Sequence, residues 1–134
     1  MSSTDFSAPC VHHFAVVVAD LERAERFYVD ALGLPVLRRW DDSDGRPRST
    51  WCELGAGVFL AIERANVDGP RRDDLAPGFH CIALRIRPDE REAWRERLER
   101  TGAAVFRESD YTLYVRDPDG NIVGLSHFPE ATAR

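Results

Sequence analysis

An internal repeat constrains this chain more than any other feature. The segments HFAVVVAD (13–20) and CIALRIRP (81–88) superimpose, and each feeds a helical stretch that ends in glycine. ELGAGVFLAIE (53–63) and RDPDGNIVGLS (116–126) superimpose as well, with Gly57 on Gly120 and Ala61 on Gly124. A pattern used twice in one short chain is one supersecondary unit whose bare sheet face is buried only when two copies pair.

The order of elements inside the unit follows from local chemistry. Residues 10–19 are dominated by β-branched side chains and read as a strand. Asp20 is a good N-cap, Leu21, Ala24, Phe27, Tyr28, Ala31 and Leu32 recur at helical spacing, and Gly33 falls at the C′ position. Strands follow over 35–40, 49–54 and 58–64. The first two are separated by DDSDGRPR (41–48) and the last two by a tight Gly-Ala-Gly. The stretch NVDGPRRDDLAPG (66–78) has no periodicity and reads as a connector, after which the order begins again. A strand over 79–87 leads to a helix opened by Pro88 and closed by Gly102, with Trp94, Leu98 and Thr101 facing inward. Strands over 104–106, 111–116 and 122–127 complete the second unit, the last two joined by the turn Asp117-Pro-Asp-Gly-Asn. The expectation is an α+β fold: two tandem βαβββ modules whose curved sheets form a half-barrel cleft. Module one spans 10–65 and module two 79–128, with a disordered leader over 1–9 and a tail over 129–134.

Composition narrows the function classes. The formal charge is −5 over 134 residues, and all 18 basic residues are arginine. An acidic chain repels a phosphate backbone, so nucleic acid is an unfavoured partner, although a local arginine cluster still suits an anionic ligand. Three widely spaced cysteines without a CxxC argue against a disulfide framework and for a reducing compartment. No stretch approaches the roughly 20 apolar residues that span a bilayer. The first nine residues have neither a basic end nor an apolar core, so a cytoplasmic location is expected, with no membrane partner.

HHFAVVVADLERAERFYVDALGLPV at the start, ELGAGVFLAIE midway and YVRDPDGNIVGLS at the end resemble the vicinal oxygen chelate superfamily, over about residues 11–128. That superfamily includes glyoxalase I, bleomycin-resistance proteins, fosfomycin-resistance transferases and extradiol dioxygenases. The resemblance implies a homodimer and a small organic ligand in the cleft. In the metal-using members it implies a divalent ion held by side chains from four central strands, acting as a Lewis acid.

Carried over residue by residue, the four ligand positions fall on His13, Ala61, Cys81 and Gly124. One is intact, one is a thiol and two have no donor, so the expected metal ligands reduce to none of the family kind. Two substitutes stay open: a set of His13, Glu63 and Cys81 for Zn, Ni, Mn or Fe, or a register slip that brings in His80. The slip would turn Ile82, Leu84 and Ile86 away from the helix, at about 1.5–3 kcal/mol each. The resemblance places Trp51 and Tyr114 where fosfomycin-resistance transferases hold pocket aromatics; with Cys81 and Arg85, also assigned to the cleft face, they are the ligand-binding candidates, and His13 and Glu63 are candidate acid and base. Arg85, a charge in an apolar strand, calls for a partner, either Glu63 or a ligand carboxylate. His12 and His127 are assigned to the helix side. Two functions stay open: a binding protein with a degenerate metal site that sequesters a toxic organic compound, or a glyoxalase-like lyase, isomerase, transferase or dioxygenase. The enzyme would use a rebuilt metal site or metal-free acid–base chemistry.

Overall fold

The computed structural model describes residues 7–132; the rest of the proposed leader and tail lies outside them. Strand β1 (His13–Val18) leads to α1 (Leu21–Glu25), which continues as a wider π-helical stretch over Arg26–Ala31. Then come β2 (Val36–Asp41), β3 (Pro47–Gly55) and β4 (Val58–Arg64). The second unit holds β5 (Ile82–Arg85), a 3₁₀ turn at Pro88–Glu90, α2 (Arg91–Arg100), β6 (Arg107–Glu108), β7 (Thr112–Arg116) and β8 (Ile122–Ser126). Each unit makes one four-stranded sheet, in the order β1-β4-β3-β2 and β5-β8-β7-β6. The outer strand of each is parallel to its neighbour and the other pairings are antiparallel. The repeat read from sequence is therefore a structural repeat, with both sheets open rather than closed into a barrel.

Alternation fixes which face of each sheet is buried. On β1, Phe14, Val16 and Val18 pack into the core while His13, Ala15 and Val17 stand on the uncovered face. On β5, Ile82 and Leu84 pack inward, as does Ile86 just beyond it, leaving Ala83 and Arg85 on the other face. One cluster joins the modules: Val18, Leu21, Phe27, Tyr28 and Leu32 from the first, and Ile86, Leu98, Leu113, Val115, Val123 and Leu125 from the second.

Within that shared core the Tyr28 hydroxyl donates to Asp117 Oδ2 at 2.7 Å. Asp117 is 2% exposed and also accepts from Asn121 Nδ2 and from the backbone N–H groups of Asp119 and Asn121. Burial and the facing carboxylate push the Tyr28 hydroxyl far above the ordinary tyrosine range, so it stays a donor. Beside it, Asp119 Oδ1 accepts from the Ala19 N–H at 3.2 Å and from Arg23 at 3.3 Å. The DPDG turn of module two is thereby tied to the first helix of module one.

Several sequence expectations shift. The second strand of module two lies at 107–108 rather than 104–106, because Ala103 and Val105 pack on the core instead of entering the ladder. Thr101 does not face inward: it is exposed at the end of α2, its hydroxyl donating to the Arg97 and Leu98 carbonyls. His12 precedes β1, so alternation does not bind it, and its ring turns toward His13 and Phe59. His127 is buried as expected, with Arg91 donating to its Nε2 at 2.9 Å.

Two outcomes follow for stability. Tyr28→Phe leaves a buried carboxylate oxygen short of a donor and lowers unfolding stability by about 1–3 kcal/mol in urea titrations. Glu25, held below its ordinary value of 4.5 by the Arg39 hydrogen bonds and by Thr50, contributes stability that is complete above that value and lost as pH falls through the lowered one. Glu25→Gln removes that acid-side loss in denaturation midpoints compared between about pH 6 and pH 3.

Candidate functional site

The uncovered face of the first sheet is built by cross-strand pairs. His13 stands opposite Phe59, Ala15 opposite Ala61, and Val17 opposite Glu63. Across β3 the same rows continue as Glu53, Trp51 and Ser49. The result is an aromatic row. His13 stacks on Phe59 with centroids 4.7 Å apart, Phe59 on Trp51 at 4.4 Å, and Trp51 meets Trp40 at 5.2 Å. The Arg38 guanidinium covers Trp40 at 3.5 Å. The indole N–H groups of Trp40 and Trp51 and the Ser49 hydroxyl are buried without a hydrogen-bond partner among the described residues. Phe59 and Trp40 went unnoticed in the sequence. Phe59 was findable, since it lies two residues before Ala61 on the same face.

The second sheet presents a more polar face. Tyr114 pairs across Gly124, Thr112 across Ser126, and Arg85 stands beside Ser126. Arg107 donates to His80 Nε2 at 2.9 Å, with its guanidinium 4.4 Å from the Tyr114 ring centroid. His80 therefore already spends one ring nitrogen as an acceptor. Arg85 is exposed and forms no salt bridge among the described residues, so neither the burial nor the Glu63 partner expected for it is present.

A cavity of about 700 Å³ opens where β1 and the start of β5 approach each other beneath the connector. It brings His13, His80 and Cys81 onto one lining, with Tyr28 at its wall. Trp51, Glu63, Arg85 and Tyr114 are not in that lining and stay on the open faces.

These placements decide how well a family-type metal would fit. The register sets His13 against Phe59, four residues from Glu63, which at the strand rise is about 13 Å. The register therefore separates His13 from Glu63, and the two do not join Cys81 in a donor set. No group of three His, Cys, Asp or Glu side chains suited to a cation occurs among the described residues. Ala61 offers no donor. A Cβ at Gly124 would lie 3.1 Å from Thr112 Cγ2 and 3.5 Å from Tyr114 Cε1, so neighbouring side chains crowd the exit of any carboxylate there. The residues present do not fit the four-ligand ion.

The comparisons agree with this architecture. The family model for the Glyoxalase/Bleomycin resistance protein/Dioxygenase superfamily matches residues 11–125. A lactoylglutathione lyase of Neisseria meningitidis serogroup A is 31% identical over 116 residues, covering 81% of this chain and 83% of that protein. The glutathione transferase FosA of Serratia marcescens is 25% identical over 130 residues, covering 92% and 84%. Among solved structures, a glyoxalase family protein from Enterococcus faecalis superimposes with a TM-score of 0.71 at 23% identity, covering 87% of this chain and 96% of that one. A variant of the fosfomycin resistance protein FosX from Listeria monocytogenes, solved with Mn(II), gives 0.69 at 19% identity, covering 88% and 91%.

Thiol chemistry gives a direct check on the placements. Burial pushes the Cys52 thiol up to about 11, whereas Cys10 is exposed and Cys81 is partly so. Native protein at pH 8 should yield two fast equivalents with a thiol reagent, Cys10 and Cys81, with Cys52 released only on unfolding. Protection of Cys81 would contradict its place in the cavity lining. By its family match, its relatives and its twice-used βαβββ architecture, the chain belongs to the Glyoxalase/Bleomycin resistance protein/Dioxygenase superfamily.

Proposed function

We propose that this chain captures a planar organic molecule against the aromatic face of its first sheet, without a metal bound in the manner of the superfamily's metal enzymes. The observation that carries the reading is the row His13, Phe59, Trp51 and Trp40, packed ring against ring along the open face of the sheet, with Arg38 over its Trp40 end. Stacked or edge-on aromatic contacts add about 0.5–1.5 kcal/mol each beyond the apolar area they bury. Loss of donors at positions 61 and 124 removes the Lewis-acid site and leaves a binding surface, as sequestration of a toxic compound requires. The open faces of both sheets support a homodimer in which a second copy closes the cleft, in the cytoplasm.

A second reading, a glyoxalase-like enzyme, is favoured by the 31% identity to a lactoylglutathione lyase. In that reading His13 and Glu63, on one face of the first sheet, would serve as acid and base on either side of a bound substrate.

Calorimetric titration with quinoline and acridine tests the first reading. Binding to the wild type should weaken about tenfold in Trp51→Ala, equivalent to about 1.4 kcal/mol. Binding that ignores this substitution would contradict the reading, as would steady production of lactoylglutathione from methylglyoxal and glutathione.

A further inference from the structure

A second cavity, of about 520 Å³, lies at the module seam where the first helix, the segment after α2, the connector and the β7–β8 turn meet. It shares no lining residue with the cavity between β1 and β5. Arg23 and Arg26 reach it from the first helix, Arg71 from the connector and Arg116 from the end of β7. The only carboxylate in the lining is Asp117, and both of its oxygens are already taken by Tyr28, Asn121 and backbone N–H groups. In a chain of net charge −5, this concentration of guanidinium groups is local.

The four arginines are not equally engaged. Arg116 is held bidentately by Asp74 at 2.8 and 2.6 Å, and Arg23 meets Asp119 at 3.3 Å. Among the described residues the Arg26 guanidinium has one polar partner, Glu22, at 3.4 Å in an exposed pair on one helix face, a contact that water and salt readily replace. Arg71 meets no carboxylate among the described residues. Its Nη1 donates to the Pro118 carbonyl at 3.3 Å, and the group rests against the Gly120 turn, where a Cβ would stand 3.4 Å from Nη2. Two guanidinium groups are thus positioned at the groove with most of their donors free. An apolar stretch of wall comes from Phe27, Ala31, Ala103, Ala104 and Phe106, whose ring lies 4.1 Å from the Arg116 guanidinium.

Guanidinium forks match phosphate and carboxylate oxygens two at a time, and an apolar wall takes the body that such a head carries. We infer that this groove binds a small organic anion, its phosphate or polycarboxylate head on Arg26 and Arg71 and its body between Phe27 and Phe106. The site is separate from the aromatic face, so it stands or falls independently of the ligand proposed there.

Calorimetric titration of the full chain with n-hexyl phosphate, with citrate and with neutral 1-hexanol, none of them planar aromatics, tests the inference. Hexyl phosphate binding identifies a phosphate head and citrate binding a polycarboxylate one, each at one site per chain, while hexanol does not bind. The double variant Arg26→Glu, Arg71→Glu should weaken binding at least about tenfold, and added KCl should weaken it as expected for exposed charges. Arg71→Gln should give a smaller loss, and circular dichroism on both variants separates lost binding from lost folding. Trp51→Ala and Arg85→Ala should bind as the wild type does. Absence of binding by both anions at millimolar concentration would overturn the inference. So would a folded double variant with unchanged affinity, or a loss caused by Arg85→Ala.

Discussion

The hydrogen bond from Tyr28 to Asp117 holds the two halves of this molecule in their relation to each other. A carboxylate that is 2% exposed survives only with every oxygen lone pair engaged, and here one partner comes from the other module. The first helix of module one is thereby fixed over the DPDG turn of module two. Both cavities lie along that junction, with Tyr28 in the wall of one and Asp117 in the wall of the other. The connector is tied to the same turn through Arg72 N–H to the Asp119 carbonyl.

On this frame, alternation along the strands decides what each sheet offers. The same period of two that buries Phe14, Val16 and Val18 leaves His13 beside Phe59 on the open side. On the second sheet it leaves Gly124 beneath Tyr114 and Ala83. The two modules repeat one backbone and diverge in their open faces: the first is aromatic, the second carries Arg85, Arg107, Tyr114 and Thr112. Divergence of faces on a conserved backbone is how one fold hosts many chemistries. It explains how membership of a superfamily with metal-using enzymes coexists with a donor set that does not suit the ion.

Much of the architecture was legible because hydrophobic periodicity and turn chemistry are local. The strands at 58–64 and around 112–116, the Asp20 cap and the DPDG turn all follow from residues within a few positions. What was not legible depends on pairs distant in sequence. The first turns of the long helical stretch are α-helical and the rest π-helical, which apolar spacing alone does not separate. Nothing in the neighbouring sequence sets Arg91 apart from the other arginines, yet it is 7% exposed and satisfied by His127, Glu108 and backbone carbonyls. Glu63 shares a face with His13 by alternation, but only the interstrand register reveals their separation. Arg71 lies in a connector without periodicity, and its position at the seam appears only once that connector is folded over Gly120.

In the proposed reading, the superfamily's metal position serves as a binding surface. Elemental analysis of the chain purified without chelator should find well under one equivalent of Zn, Ni, Mn or Fe per chain, with no dependence on His13. One equivalent that disappears in His13→Ala would contradict that reading.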